Sequence, residues 1–542
     1  MPFKFNSVNS RLSKPVLIAL TLCIVVLPGF YPPQKLNIIE ISLVQLNDVY
    51  EISTLDSGRA GGLARVATVV KELRSKNRNV YTMLAGDFLF PSALGTIRSG
   101  PKNKELKGFQ MVDVMNALPV DMVTFGNHEF DIKNLDDLQQ RIDTSAFDWI
   151  SANVVQKGTG QPLTKMINGK RVPIPPAKIL SFKNELGQVV RVGVLGVTIN
   201  STVSDYVDYT DEEKAIRESI QYLKNNKADV IIALTHLKRE RDIELAKLFP
   251  EIKLFIGGHE HTNSIDTIHH ASGKKSFVTK ADANGRTVFI HALRYNTVTR
   301  ELSVNSQLIP IDEQIQEDPR VAGVVRYWNN WADSIWRVKG YVPCKVLATL
   351  HKTLDGTEAS IRYKATNLTD LIAKAIYEAC GDSANIDASI YNSGSIRLDD
   401  SIRNQVTQYD IIRTIPYSGK IYIVEMKGHM LKKMLDTSMR YPGDGSFLQY
   451  YNITDWGTSW KINNKHWHAD SVYRIAITDY LAEGYENKMN FFKPTADGVL
   501  SIDRNIANSL RADLIQAVSA FIEKHYAKPS GDVVNDKKVP CY

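Results

Sequence analysis

Apolar runs of strand length alternate with helical segments over the first half of the chain. The helical pattern predicts helices at Gly62–Arg74 and Gly108–Ala117. Alternation of this kind predicts a layered α/β domain with strands buried in its interior. The predicted strands are Ile38–Leu46, Val80–Ala85, Met122–Phe125, Val189–Thr198, Val230–Leu234 and Leu254–Ile256.

A different pattern follows, in which large apolar residues recur at helical spacing. This stripe predicts a packed interdomain helix rather than a cofactor site. Its residues are Val321, Val324, Val325, Trp328, Trp331 and Ile335. Further helices are predicted at Leu368–Ala379, capped by Thr366 or Asn367, and at Lys427–Ser438. A late amphipathic helix is predicted over Ser509–Phe521, with Leu510, Leu514, Val518 and Phe521 on one face.

The length of 542 residues exceeds the size at which single cores stop growing, so at least two domains are expected. The predicted bounds are 38–312 for the first domain, 313–341 for the interdomain helix and 342–530 for the second domain. A hydrophobic content of 43% and a charged content of 23% are typical of a globular protein. The net charge of +7 is a mild bias that favours small anionic ligands. The sequence contains no concentrated basic stripe of the kind that would indicate a nucleic-acid partner.

The N-terminus has the pattern of an export signal. Lys4, Arg11 and Lys14 precede an apolar stretch from Pro15 to Tyr31. A basic flank and a short apolar core predict that residues 1–33 are a signal peptide or an N-terminal anchor. The predicted location is therefore outside the cytoplasm, with membrane contact only through that anchor. The sequence does not specify the oligomeric state.

Three cysteines follow the signal, too few for a disulfide-built scaffold. Cys344 and Cys541 could pair with each other. The alternative is that these two and Cys380 are all inert small hydrophobes.

Metal-ligand residue types follow the predicted strands of the first domain. Ligands in layered α/β proteins collect beyond the carboxyl ends of the strands, so these side chains are expected at one rim. Oxygen and imidazole ligands without thiolate suit zinc, manganese or iron at a working site. The candidate ligands are Asp48, Asp87, Asn127, His236, His259 and His261.

The ordered segments around these residues resemble the calcineurin-like metallophosphoesterases, and more specifically the 5′-nucleotidase family. The resemblance rests on Asn47-Asp48-Val49-Tyr50, Gly86-Asp87, Gly126-Asn127-His128-Glu129, Thr235-His236 and Gly258-His259-Glu260-His261. It implies a four-layer αββα sandwich, followed by a helical linker and a smaller α/β C-terminal domain.

The resemblance also implies roles for these residues in a centre of two divalent metal ions. Asp87 would bridge the two ions. Asp48 and His261 would hold the first ion, and Asn127, His236 and His259 the second. His128 would be the catalytic histidine, with its ring held in place by Asp131.

Tyr50 departs from the family pattern, which has histidine at this position. One interpretation makes Tyr50 a phenolate ligand, which favours iron over zinc or manganese. The other places Tyr50 beside the site without ligating, as an outer-shell residue.

The second half resembles the 5′-nucleotidase C-terminal domain, which holds the nucleoside over the metal site. The match rests on the segments Arg362 with Asn367-Leu368, Asn392 to Arg397, Ile415-Pro416-Tyr417 and Phe447-Leu448-Gln449, and more loosely on Asp479 to Ala482. The resemblance implies that Phe447 stacks on the base. Arg362, Asn392 and Arg397 would contact the polar parts of the nucleotide. The second stacking ring is left open between Tyr485 and Phe491.

The leading hypothesis is an exported, dinuclear-metal phosphomonoesterase that hydrolyses 5′-nucleotides to nucleoside and phosphate. One alternative is a broader phosphoesterase that acts on nucleotide-sugar pyrophosphates or cyclic nucleotides. A third is a weakly catalytic nucleotide-binding protein, if Tyr50 impairs the first metal site.

Overall fold

A computed structural model of the chain describes residues 37–99, 104–202, 204–455, 457, 459–507 and 509–526. The predicted signal or anchor lies outside these residues. Within them, no helix is both long and apolar enough to cross a membrane.

Two six-stranded sheets form the first part of the structure. The first sheet contains, in spatial order, Leu302–Pro310, Thr287–Asn296, Ile38–Leu46, Val80–Leu84, Met122–Val123 and Asp148–Trp149. The second sheet contains Ala177–Lys183, Val189–Thr198, Val230–His236, Ile252–Gly257, Lys275–Lys280 and Ser264–His269. All the predicted strands are present, and the central strands of each sheet are parallel.

The two sheets pack face to face because alternate residues of their central strands are apolar. Ile41 and Leu43 of the first sheet share a core with Val192 and Ile232 of the second. The outer faces are covered by helices: Ile216 packs on the second sheet, and a separate cluster covers the first. This arrangement confirms the predicted α/β fold with helices outside two packed sheets.

The described helices include both helices predicted for the first domain and the interdomain helix. Asp318 caps the interdomain helix by accepting hydrogen bonds from the backbone N–H groups of Arg320 and Val321, at 3.0 and 3.1 Å. The helices are Leu63–Lys76, Phe109–Ala117, Leu135–Thr144, Glu212–Asn225, Arg239–Leu248, Pro319–Val338, Glu358–Ile361, Asn367–Glu378, Gln408–Thr414, Gly428–Arg440, Asp479–Ala482 and Leu514–His525.

The late helix begins at Leu514 rather than at Ser509, the predicted start. Leu510 instead opens a short 3₁₀ turn and is 45% exposed, so placing it on the buried face was wrong. Asp513 accepts a hydrogen bond from the Gln516 N–H at 3.1 Å and starts the helix there. Leu514, Val518 and Phe521 do lie on its buried face.

A five-stranded sheet forms the core of the second part. Ile390, Val424 and Ile475 lie at its centre and pack against Leu431 of the helix Gly428–Arg440. In spatial order the strands are Leu448–Tyr451, Ala388–Asn392, Val472–Thr478, Ile421–Lys427 and Val499–Asp503.

Shorter strands form ribbons around the three sheets. They are Thr54–Leu55 with Ala60–Gly61, Arg98–Ser99 with Lys104–Glu105, Val154–Gln156 with Val207–Tyr209, Thr164–Ile167 with Lys170–Pro173, Val346–Thr349 with Gln405–Thr407, Leu354–Asp355 with Ser401–Ile402, and Ile453–Asp455, Trp460–Ile462 and Lys465–His466 together.

The cysteines differ from one another in state. Cys344 is disulfide-bonded, so the interpretation that all three are inert hydrophobes was wrong. Cys541 lies outside the described residues, and its pairing with Cys344 stays a prediction. Cys380 is a free, partly buried thiol.

Candidate metal centre

Three strand ends bring Asp48, Asp87 and His236 together. Their ligand atoms all lie within 4.8 Å of one another, and all three side chains are buried. Asp48 and Asp87 have φ angles of 52° and 55°, in the left-handed region that non-glycine residues seldom adopt. The sharp turns after the strands therefore aim both carboxylates at the same point.

Two glycines allow the ligand segments to approach this closely. A Cβ atom on Gly126 would lie 2.0 Å from Asp87 Oδ1. A Cβ atom on Gly258 would lie 2.3 Å from the carbonyl oxygen of Ala85. Any side chain at either position would push the turns apart, which explains the glycines in the two motifs.

Two of the three predicted histidine ligands, His236 and His261, turn one ring nitrogen toward the carboxylates. His236 Nδ1 lies 2.7 Å from the Ala85 carbonyl oxygen, so it donates, and Nε2 lies 3.1 Å from Asp87 Oδ2. His261 Nε2 lies 3.4 Å from Asp48 Oδ1. The His259 ring is centred 5.4 Å from that of His236. An N–H held by an outer acceptor fixes the tautomer that leaves the other nitrogen available to a metal.

Several buried polar atoms at this point have no hydrogen-bond partner among the described residues. They are Asp48 Oδ1, Asn127 Oδ1 and His236 Nε2. Buried polar atoms normally have partners, and an unmet set of oxygen and imidazole ligands suits a divalent ion. The residues present therefore fit the metal centre that the sequence predicted.

His128 lies beside the cluster, with its ring tied to a different partner. Its Nδ1 lies 2.7 Å from Asp131 Oδ2, as the sequence predicted, and its backbone N–H donates to Asp87 Oδ1 at 2.8 Å. Burial alone would lower the pKa of His128, but the charges of Asp87 and Asp131 outweigh it and raise the pKa to about 9. His128 is therefore held beside the ligand segments by contacts with Asp131 and Asp87.

Tyr50 donates a hydrogen bond from its hydroxyl group to Asp87 Oδ2 at 2.9 Å. Its ring centre lies 5.5 Å from that of His261 and 6.2 Å from that of His128. Burial, together with the charges of Asp87 and Asp48, raises the pKa of Tyr50 well above its ordinary value. This contact supports the interpretation of Tyr50 as a neutral neighbour of the site.

The second part of the structure closes over these residues and leaves a cavity of about 40 Å³. Arg397 lines this cavity, and its guanidinium group makes no hydrogen bond or ion pair with any of the described residues. Its Nε atom is buried without a partner, and the group lies 5.8 Å from the centre of the Tyr417 ring. The lining residues are Tyr50, Asp87, Pro91, His128, His259, His261, Glu358, Arg397 and Asp399.

The other residues predicted to bind substrate do not line this cavity. Arg362 is ion-paired with Glu358, a lining residue. Asn392 donates to Glu486 Oε2 at 3.2 Å. Phe447 is only 7% exposed, yet it belongs to none of the apolar clusters of the described residues.

The two candidates for the second stacking ring have different surroundings. Phe491 packs against the apolar core of the five-stranded sheet, with Lys433 Nζ 4.2 Å from its ring centre. Tyr485 is 66% exposed, and its ring lies 6.0 Å from that of Tyr480. Of the two rings, that of Tyr485 is the more exposed.

Two buried charged residues support the ligand segments without having been assigned a role from the sequence. Glu129 accepts backbone hydrogen bonds from Asp87, Phe88, Leu89 and Gly126. Burial and the charge of Asp87 raise the pKa of Glu129 to about 7. The glutamate of the Gly-Asn-His-Glu motif was visible in sequence, but its acceptor role needed the turn at Asp87.

Lys280 is the other one, and no local motif marks it. Its ammonium group donates to the carbonyl oxygen of Leu237 at 2.6 Å and to that of Gly258. It also forms ion pairs with Asp242 at 2.9 Å and Glu260 at 2.6 Å.

Comparison with known proteins agrees with this geometry. A calcineurin-like phosphoesterase model matches residues 41–263, and a model of the 5′-nucleotidase C-terminal domain matches residues 346–494. Mouse 5′-nucleotidase is 25% identical over 548 residues, covering 90% of this chain and 88% of its own. The snake venom 5′-nucleotidase of Naja atra is 26% identical over 450 residues, covering 75% of this chain and 79% of its own.

A solved structure shows the same fold. The 5′-nucleotidase precursor from Thermus thermophilus superposes with a TM-score of 0.67 at 18% identity, covering 91% of this chain and 98% of its own.

The first matching region and the metal-ligand cluster define a metal-dependent phosphoric ester hydrolase of the calcineurin-like class. With the second matching region added, the chain belongs to the 5′-nucleotidase family.

Proposed function

We propose that this protein hydrolyses 5′-nucleotides to nucleoside and phosphate. One observation carries the proposal: the unpaired guanidinium group of Arg397 lines the same cavity as Asp87, His128, His259 and His261. Arginine presents a planar fork of donors that matches phosphate oxygens. A metal centre facing an unpaired arginine is suited to binding a phosphoryl group between them.

The centre would hold two divalent ions that share Asp87. Asp48 and His261 would hold the first ion, and Asn127, His236 and His259 the second. Bound ions of this kind supply Lewis-acid stabilisation and bring the pKa of water toward neutrality. Zinc or manganese fits the oxygen and imidazole donors, and the hydrogen bond from Tyr50 to Asp87 favours these ions over iron held by a tyrosinate.

The chain's own groups would do the rest of the chemistry. With Nδ1 bound to Asp131, His128 offers Nε2 to the cavity, where it would protonate the departing nucleoside oxygen. Arg397 would bind the phosphoryl oxygens and stabilise the charge that grows on them in the transition state.

The nucleoside would be bound by the second part of the structure. Phe447 lies behind the Asn392 turn, with the Ser393 N–H donating to its carbonyl oxygen at 2.8 Å. Phe447 would stack on the base, the role that the resemblance to the 5′-nucleotidase C-terminal domain implies. Tyr485 would supply the second ring. Arg362 would contact polar parts of the nucleotide, either in place of its ion pair with Glu358 or in addition to it.

The remaining sequence predictions accompany this proposal. We infer export through residues 1–33, as signal or anchor, in line with a venom enzyme among the relatives. The division into 38–312, 313–341 and 342–530 is supported by the positions of the three sheets and the long helix Pro319–Val338.

A substrate panel tests the proposal. The metal-free protein is reconstituted separately with zinc, manganese, iron and cobalt and assayed with nucleoside 5′-monophosphates, nucleotide-sugar pyrophosphates, cyclic nucleotides and an aryl phosphate. The expected result is the highest kcat/KM for a 5′-monophosphate. A higher value for a pyrophosphate or a cyclic nucleotide would establish the broader phosphoesterase instead. Tight nucleotide binding without turnover would establish the binding protein.

A variant pair separates nucleoside binding from phosphoryl transfer. Base stacking is worth about 1–3 kcal/mol, so Phe447→Ala should lower kcat/KM for 5′-monophosphates by about 5–150-fold. An aryl phosphate has no base, and its hydrolysis should stay near the parent's. Tyr485→Ala should behave similarly, whereas Phe491→Ala should lower stability. Equal losses of Phe447→Ala on both substrates would assign that ring to the fold.

A further inference from the structure

One contact joins the second part of the structure directly to a ligand of the first. Asp399 Oδ2 lies 2.8 Å from His261 Nδ1, and the Asp399 carbonyl oxygen lies 3.1 Å from the same nitrogen. The opposite nitrogen of that ring, Nε2, faces Asp48. Asp399 therefore contacts the side of His261 that points away from the ligand cluster.

Asp399 is itself held firmly in place. Its Oδ1 accepts the backbone N–H of Glu358 at 2.6 Å, so one oxygen binds within the second part and the other reaches the first. Its φ angle is 33°, in the left-handed region that favours glycine, and a non-glycine residue is kept there only by its contacts. The Asp399 carboxylate is thus held in place by a contact that does not involve His261.

We propose that Asp399 is a positioning residue for the metal centre, a role that rests on the proposed function of His261 as a ligand. Two acceptors on Nδ1 keep the proton on that nitrogen and leave Nε2 free to ligate. A carboxylate behind a ligating histidine also fixes the ring and increases its basicity. The affinity for the ion held by His261 and Asp48 therefore depends on the second part of the structure. The affinity for the other ion does not.

The neighbouring residue provides a matched control. Asp400 joins the same two parts of the structure through a different contact, an ion pair with Arg286 at 2.6 Å. Asp400→Asn weakens the interface between the two parts without touching His261. Any loss of metal binding that came from a loosened interface alone would appear in this variant as well.

The experiment measures the affinities of both sites for zinc by competition with a chelator, in the full-length protein. Asp399→Asn keeps the shape and tolerates the positive φ angle, and Asp399→Gly removes the side chain without backbone strain. The expected result for both is a loss of about 10–100-fold in affinity for one of two ions. The second affinity should match the parent's, and so should both affinities of Asp400→Asn. Turnover of adenosine monophosphate by Asp399→Asn should recover at saturating zinc.

Failure of the inference and failure of the proposed function give different results. If the parent binds two ions and hydrolyses the nucleotide but the Asp399 variants keep both affinities, Asp399 has no positioning role. Equal losses in Asp399→Asn and Asp400→Asn would show an effect of the interface alone and overturn the proposal. A parent that binds no ions would overturn the ligand assignment and this inference with it.

Discussion

Lys280 connects the His236 and His259 segments through its buried ammonium group. It is fully buried and is the last residue of the strand Lys275–Lys280. Its ammonium group donates to the carbonyl oxygens of Leu237 and Gly258. Leu237 comes directly after His236, and Gly258 comes directly before His259. The replacement Lys280→Met keeps the apolar stem and removes the ammonium group, and with it these two contacts and the ion pairs with Asp242 and Glu260.

The expected loss follows from the charges left behind. Asp242 is fully buried, and Glu260 is 29% exposed in its side chain. Removing one partner of a buried ion pair leaves an uncompensated charge and costs about 3–5 kcal/mol. Burial already raises the pKa of Asp242, and Lys280 acts against that shift. Lys280→Met should therefore lower the free energy of unfolding by about that amount and also weaken metal binding.

Urea denaturation of the metal-free protein measures the stability, and chelator competition measures the metal affinity. Lys275→Met, at an exposed position of the same strand, is the control and should match the parent. The double variant Lys280→Met, Asp242→Asn should be more stable than Lys280→Met, since it no longer carries the unpaired carboxylate. A loss below about 1 kcal/mol in Lys280→Met, or simple additivity in the double variant, would refute the reasoning.

Three further predictions concern His128, Tyr50 and His291. His128→Ala should bind both ions and lower kcat by about 10²–10⁴-fold; loss of metal together with activity would identify His128 as a ligand. Tyr50→Phe removes one hydrogen bond to Asp87, worth about 0.5–1.5 kcal/mol, so activity should fall by about tenfold or less. A visible charge-transfer band in the iron form that disappears in Tyr50→Phe would instead show a tyrosinate ligand. Burial lowers the pKa of His291 from 6.5 to about 3, so the unfolded chain binds more protons between these values. This part of the stability is complete above about pH 6.5 and is lost as the pH falls toward about 3. Urea midpoints of His291→Gln should therefore fall less between pH 7 and pH 5 than those of the parent, and equal slopes would show that His291 does not titrate on unfolding.

The sequence predicted the strands of the first part closely because most of their residues are apolar and buried. Ile38–Leu46 and Val189–Thr198 have the predicted bounds, since a mainly apolar run between polar turns leaves few alternatives. The late helix was predicted less well. Its apolar spacing continues back to Leu510, and only the capping contact of Asp513 determines where the helix begins.

Some residues of the candidate site could be predicted from local motifs, and others depend on contacts between segments that are distant in sequence. The cluster of Asp48, Asp87 and His236 could be predicted because each of these residues lies in a short motif at the end of its own strand. Glu129 belongs to such a motif, but its role as acceptor of four backbone N–H groups could not be predicted, because three of them come from the distant turn at Asp87. Asp399 and Lys280 could not be predicted either, since each acts on a segment that is adjacent in space and has no fixed spacing in sequence.

The unpredicted residues share a property that bears on how such a centre is built. His261 and Asp399 are 138 residues apart, and Lys280 is separated from Leu237 by 43. In each contact a charged side chain binds a ligand segment on the side that faces away from the cluster. The motifs supply only the side chains that face the cluster. The proposed metal centre therefore depends on the assembled structure, because residues outside the motifs hold the His261 ring and the backbone beside His236 and His259. Tyr50 stands where the 5′-nucleotidase pattern that this chain resembles has histidine. With one imidazole fewer, the proposed centre would rely correspondingly more on outer contacts, and Asp399 would supply one of them to the ion held by Asp48 and His261.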